Sequence, residues 1–323
     1  MAHPAQAAAL AELLRRAAGG GAVSENDAGE ALCHVRADPV TGAFRGLGVD
    51  LTDRARERLE FFRRTAGLCP AVRLDVAGHE VEAVITDVEL WRFYLPICQA
   101  LDGMAAKAER RVLVGIAGAG ASGKSVFAGL LREALNRTLS GQASAALCPL
   151  DGFHFPNAYL DSHFTQDEQG RRVAMRALKG APRTFDAESF VPCLRRLRRQ
   201  PSVDVPRYDR RLHDPVPGGI HVRPEHRVVL VEGNYLLLDT ERWAPVAGLL
   251  DLSLFMAQSL EVVRDAMIRR HVRGGRTEED ALGHFERVDR RNFDVIASTA
   301  PRADLLVRRS SAHHVVAIEA PPG

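Results

Sequence analysis

Apolar and polar positions follow two regimes along this chain. Residues 4–17 are rich in helix formers and predict a helix that stops at the glycine run Gly19–Gly21. A second amphipathic stretch, Leu51 to Arg64, predicts another helix with Thr52 near its cap. From Val72 to Ile85 the sequence VRLDVAGHEVEAVI alternates, which predicts a hairpin turning at Ala77-Gly78-His79. The segment DVELWRFYLPICQALDGMAA, beginning at Asp87, predicts a helix bent or interrupted near Pro96. Residues 1–108 therefore read as an appended, mostly helical module.

From Arg111 the pattern changes. RVLVGIAG is a short β-branched run that meets glycines and then the helix-like SVFAGLLREALNR. Further buried-strand patterns are SAALCPLD ending at Asp151, RVVLVEG ending at Gly233, LLDLSLFM ending at Met256, ADLLVRR, and HHVVAIEA near the C-terminus. Strands separated by helical stretches predict an α/β fold in which a parallel sheet carries helices on both faces. In such sheets, ligands gather beyond the strand ends. Residues 109–323 form this second unit, and the terminal PPG is expected to fray.

Composition narrows the classes. The chain has 323 residues, 46% of them hydrophobic, and no run near the roughly 20 apolar residues of a membrane-spanning helix. Its N-terminus lacks a basic region leading into a long apolar run, so the expectation is a cytoplasmic protein. Five cysteines lie far apart without C-x-x-C spacing and read as reduced, structural thiols. Net charge is only +2 and the arginines are interleaved with acids, which argues against nucleic acid as a partner. A small-molecule ligand is expected, and a homodimer is left open. Lysine is scarce: Lys107, Lys124 and Lys179 are all there are.

Lys124 stands in a stretch with two readings. Gly118, Gly120 and Gly123 spell the G-x-G-x-x-G of a dinucleotide site, while Gly118 to Ser125 spell G-x-x-x-x-G-K-S, a phosphate-binding P-loop. A dinucleotide site needs an acid about 20 residues on to hold the ribose hydroxyls, and Thr138 to Leu150 contains none. A P-loop needs glycine backbone able to wrap its N–H groups around phosphates, a lysine for the outer phosphates and a hydroxyl for magnesium. The strand before and the helix after supply its context. The loop is therefore read as P-loop NTPase-type, with Gly118, Ala119, Gly120, Ala121, Ser122, Gly123, Lys124, Ser125 and Val126 binding ATP.

Other segments fall where phosphoryl transfer needs them. Asp151, at a strand end in PLDGFHFPN, could take the acceptor's hydroxyl proton, hold magnesium, or merely form a turn. Glu232 ends VVLVEG and is a candidate to orient Mg2+ or its waters, against the plainer reading of a loop-capping carboxylate. In the arginine-rich helix EVVRDAMIRRHVRGGR, Arg269 and Arg273 share a face at i and i+4 and could spread positive charge over a transferring phosphoryl group. Lys179 beside Gly180 could reach an acceptor or phosphate, or form a salt bridge.

The ordered segments GAGASGKS, LDGFHFPN, KGAPRTFD, VPRYDRRLHDPV and VEGNYLLLD resemble the phosphoribulokinase, uridine kinase and type I pantothenate kinase superfamily, over roughly Arg111 to Val307. KGAPRTFD, HDPV and EGNYLLLD resemble its bacterial nucleoside or nucleotide kinase-like branch. The resemblance implies Mg-ATP-dependent transfer to a small-molecule alcohol, with Lys124 on the β/γ-phosphates, Ser125 on magnesium and Asp151 as base. It also implies that Phe185, Asp186, Tyr208 and His213 line the acceptor pocket. From the residues alone, Tyr208 and His213 could equally be surface groups of a basic loop. FYLPICQAL before the P-loop strand resembles the layout of type I pantothenate kinases, whereas the DGFHFPN to HDPV region follows the nucleoside-kinase-like branch. Nucleoside, pantothenate and sugar acceptors all fit. The rival expectation is a regulatory ATP-binding P-loop protein without an acceptor; a GTPase is disfavoured because no N-K-x-D stretch is present to read guanine.

Overall fold

The computed structural model describes residues 4–19, 23–167, 169–240, 242–310 and 314–322. Gly20 and Gly21 of the glycine run, His313 and the terminal Gly323 lie outside the described residues. Four helices open the chain: α1 (Pro4–Ala18), α2 (Glu25–Ala37), α3 (Pro39–Gly46) and α4 (Ala55–Thr65). The second and third carry no long apolar stripe, but Ser24 and Asp38 cap them by accepting from the backbone N–H of Asp27 and Val40. The last begins at Ala55 rather than Leu51. Thr52 sits in the preceding turn, its N–H donating to Asp50 at 2.9 Å, and is not the cap.

A hairpin of β1 (Ala71–Val76) and β2 (His79–Val84) turns on Ala77 and Gly78, whose φ values of +54° and +84° give the mirror-image turn that matches strand twist. Next, α5 (Asp87–Glu89), a π-helical turn (Leu90–Tyr94) and α6 (Leu95–Lys107) follow without a gap. The predicted interruption near Pro96 is this widened turn, which accommodates a ring that would press on the carbonyl four residues earlier.

Beyond it come β3 (Val112–Gly118), α7 (Lys124–Thr138), β4 (Ser144–Pro149), α8 (Asn157–Ser162), the small hairpin β5 (Phe164–Gln166) and β6 (Arg172–Ala174), and α9 (Ala187–Arg199). A longer antiparallel pair, β7 (Val203–Asp209) and β8 (Asp214–Val222), replaces the loop expected there. The remainder is β9 (His226–Gly233), β10 (Leu252–Ala257), α10 (Leu260–Arg273), α11 (Glu278–His284), a second π-helical turn (Phe285–Asp289), α12 (Arg290–Ala297), β11 (Leu305–Arg309) and β12 (Val315–Glu319).

The central sheet has the order β12-β11-β10-β3-β9-β4. It is parallel except for β12, which runs antiparallel to β11. The connection from Arg309 to Val315 is too short for the dozen or more residues of a parallel crossover, so the edge strand turns back. Alternate residues of β3 serve opposite faces. Val112, Val114 and Ile116 join the N-terminal helices and α7 in one core, while Leu113 and Ala117 join α9, Trp243, Met267 and Phe285 in another. Helices therefore cover both faces of a largely parallel sheet, with a helical N-terminal region ahead of it. No helix among the described residues is long and apolar enough to cross a membrane.

Candidate active site

Strand β3 delivers the chain into the P-loop at the sheet's C-terminal edge. Gly118, Ala121 and Gly123 have φ of +145°, +58° and +90°, so the backbone curls back with its N–H groups toward the loop's interior. A side chain at Gly123 would be strained by that φ, and its Cβ would also lie 1.4 Å from Nη1 of Arg309. Lys124 opens α7, is buried, and donates from Nζ to the Ala119 carbonyl oxygen at 2.7 Å. The Ser122 hydroxyl is buried and finds no partner among the described residues. A phosphate oxygen is the acceptor such a hydroxyl lacks.

Register brings the acids to this loop. Glu232 of β9 pairs with Ile116 on one side and Pro149 on the other, so the ends of β3, β9 and β4 stand level. Ser125 Oγ donates to Glu232 Oε2 at 2.8 Å. Asp151 follows β4 in a tight turn, Leu150–Phe153. Burial lowers Lys124 to about 8, with Glu232 and Asp151 opposing and Arg270 and Arg210 assisting. Burial pushes Asp151 up, but His154, Arg270, Lys124 and Arg210 together outweigh it and hold the carboxyl below the usual range. Glu232 shifts the other way, raised by burial and by the neighbouring Asp151. Two oxygen acids with opposed shifts and a serine hydroxyl are the hard donor set that magnesium takes.

The β7–β8 pair forms the other wall. A Cβ on Gly152 would fall 2.2 Å from the Pro206 carbonyl oxygen, so this glycine lets β7 pass directly against the Asp151 turn. That passage presents Tyr208 and Arg210. His154 packs between Phe185, at a ring separation of 3.8 Å, and Tyr208, edge-on at 5.5 Å. Burial drives the His154 imidazole down to about 4, which keeps it neutral, and its Nδ1 is buried without a partner among the described residues. Arg210 Nε is likewise unpaired there. Lys179 Nζ donates to Asn157 Oδ1 at 2.6 Å and to the His213 carbonyl oxygen at 2.9 Å, and lies 5.2 Å from the Tyr208 ring centre.

A model of the Phosphoribulokinase / Uridine kinase family matches residues 113–316. The chain belongs to that family. Among relatives, it is 30% identical over 237 residues to the uncharacterized protein YggC of Escherichia coli (strain K12), covering 73% of this chain and 94% of that one. It is 28% identical over 207 residues to a uridine kinase of Klebsiella pneumoniae subsp. pneumoniae, covering 63% and 90%. A solved structure from Silicibacter sp. TM1040, titled a "putative fructose transport system kinase", superposes with a TM-score of 0.54 at 29% identity over 64% of this chain and 98% of that one.

Within this uridine kinase-type scaffold, the residues selected from sequence divide. Lys124, Ser125, Asp151 and Glu232 converge, and Lys179 and Tyr208 lie near enough for the Asp151 charge to act on both. Phe185 is a core residue that supports His154. The Asp186 carboxylate caps α9, accepting from Ser189 N at 2.9 Å. His213 sits at φ +53° with its side chain exposed, and only its carbonyl reaches Lys179. On α10, Val263 and Met267 are buried and Arg270 continues that face, its charge acting on Lys124, Asp151 and His154. Arg269 instead lines an outer groove with Asp265, Ile268 and Glu278, and Arg273 is exposed with Nε 3.4 Å from the Arg269 carbonyl oxygen.

Three further groups were not singled out from the sequence: Arg270, read there only as one of the arginines Arg264, Arg269, Arg270, Arg273 and Arg276 of its helix, Arg210 and Arg309. The last reaches from β11 to the P-loop, donating to the Ser122 carbonyl oxygen at 3.3 Å. It also borders a cavity of about 580 Å3 lined by Ala119, Met256, Gln258, Ser259 and Phe293, open beside the loop. The spacing Val263–Met267–Arg270 was a legible pointer to one of the three; the other two depend on tertiary contact.

Proposed function

We propose that this member of the phosphoribulokinase/uridine kinase family transfers the γ-phosphate of Mg-ATP to an alcohol group of a nucleoside-like, pantothenate-like or sugar acceptor. The observation that carries the reading is the convergence of Lys124, Ser125, Asp151 and Glu232 at level strand ends, together with buried side-chain atoms of Ser122, Arg210 and His154 that have no partner among the described residues. The P-loop amides, the Ser122 hydroxyl and the Lys124 ammonium bind the phosphate chain. The cavity beside Ala119 accepts the base and ribose. Ser125, Asp151 and Glu232 would hold magnesium, which supplies charge neutralisation at the phosphates.

Asp151, held ionised by its cationic neighbours, orients the acceptor hydroxyl and takes its proton as the phosphoryl group moves. Arg270 spreads positive charge over the transferring group and, with α10, excludes water. Tyr208, Lys179, Arg210 and His154 position the acceptor. A cytoplasmic, small-molecule enzyme with a helical region at 1–108 and a kinase unit at 109–323 completes the proposal.

The test is ADP release measured against pantothenate, nucleosides, sugars and glycerate, with products identified by mass spectrometry. The expected result is acceptor-dependent release, lost by a factor of about 100 or more in Asp151→Asn while ATP affinity stays within a few-fold. ATP turnover indifferent to every acceptor would instead identify a regulatory nucleotide switch.

A further inference from the structure

Behind the arginine-bearing face of α10 lies a cluster that the kinase chemistry does not use. His271 is on the last turn of α10, His284 ends α11, and Asp289 ends the π-helical turn that follows. One ligand atom from each lies within 4.8 Å of the others, and all three residues are half-buried. His271 Nε2 and Asp289 Oδ2 are 2.7 Å apart, and the two imidazoles meet edge to face at 4.9 Å between ring centres.

The backbone is shaped to make this cluster. In an α-helix, residues five apart point about 140° away from each other. His284 and Asp289 are five apart, yet they meet. The widened turn Phe285–Asp289, closed by Arg290 N–H on the Phe285 carbonyl oxygen, resets the spacing. Its buried neighbours Phe285 and Val288 anchor the turn in the core, so the two ligand positions are held by packing.

We infer that His271, His284 and Asp289 form a site for a divalent transition metal of zinc type, which fastens α10 to α11 and the widened turn that follows it. Two imidazoles and one carboxylate, with no thiolate, match three protein ligands plus one open position. In a tetrahedral site with bonds of about 2.0–2.1 Å, donor atoms stand about 3.4 Å apart, so small side-chain rotations close the cluster. Arg276 and Arg287 stand close enough for their charges to act on the His284 imidazole. Those same arginines oppose a cation, which selects an ion bound through strong nitrogen donation over magnesium or calcium. Because Arg270 is the residue before His271, the metal fixes the helical turn that aims Arg270 at the cleft.

The full-length protein, stripped with chelator and held in excess Mg2+, is titrated with Zn2+ against a chromophoric competitor. Expected are a single tight equivalent, a rise in Tm on adding Zn2+, and visible bands with Co2+ typical of nitrogen and oxygen ligands. His284→Ala and His271→Gln should each weaken Zn2+ binding by about 100-fold or more, since losing a ligand exceeds the loss from an outer partner. Asp151→Asn should leave it unchanged. Having two ligand variants keeps the test alive if one misfolds. Absence of the tight equivalent, equal affinity in the folded ligand variants, or its loss in Asp151→Asn would overturn the site and leave a plain His–Asp ion pair. None of these outcomes depends on kinase activity.

Discussion

Lys124 is the residue on which most of the site's charge converges. With its ammonium drawn down to about 8 by burial, the nucleotide-free protein loses this charge as pH rises through that value. A triphosphate favours the charged form, so binding at pH 9 should take up a proton and binding at pH 6.5 should not. Calorimetry in two buffers of different ionisation heat measures this uptake, and in Lys124→Arg, which stays charged, it should vanish. No uptake at pH 9 in the parent protein would contradict the assignment of its charge. At this scale the sequence was most informative: a scarce lysine inside G-x-x-x-x-G-K-S, a strand-end Asp151 and a strand-end Glu232 are chemistry bound to local pattern. Asp186 and His213 show where that stops. Each occupies the expected segment, but Asp186 is engaged in capping α9 and His213 contributes its carbonyl, outcomes set by backbone direction rather than residue type.

At the scale of the element, α10 shows how a correct helix can be turned the wrong way. The i, i+4 pairing of Arg269 and Arg273 is sound, but burial of Val263 and Met267 sets Arg269 on the outer groove and leaves Arg270, itself exposed, on the side from which its charge acts on Lys124 and Asp151. Arg270→Ala should lower kcat by about 10-fold or more, because a cation at the transferring group acts in the transition state, while Arg269→Ala should stay within about 2-fold. Steady-state rates for the two variants decide it, and the reverse order would mean that the helix rotates on closure. The buried strands were legible because alternate or continuous apolar runs have few other uses. The β7–β8 pair was hidden by Pro206, Pro215, Pro217 and the Gly218-Gly219 dipeptide, which locally favour turns; pairing between the two segments overrides that preference. Likewise α2 and α3 are held by packing and caps rather than by a strong stripe.

For the whole molecule, the N-terminal helices and the sheet share one apolar cluster. Phe127 and Leu131 of α7 lie in it with Leu13 and Phe62, and the Phe127 ring sits 5.1 Å from Tyr94. Polar ties cross as well: Asp102 accepts from Ser140 N at 2.8 Å, and Glu89 accepts from Val315 N at 2.8 Å. Each large apolar side chain uncovered costs about 1.5–3 kcal/mol, so a handful exceeds the roughly 5–15 kcal/mol net stability of a typical domain. Residues 109–323 expressed alone should therefore bind a hydrophobic dye and melt without a sharp transition; a soluble fragment with a cooperative melt would refute this. Such coupling was invisible in the sequence, because nothing local records which helix covers which sheet face. Arg309 carries a consequence for biosynthesis. The brace it lends the phosphate loop comes from β11, so a ribosome-bound chain can complete the architecture of that loop only after Leu305–Arg309 has emerged, long after Gly118–Ser125.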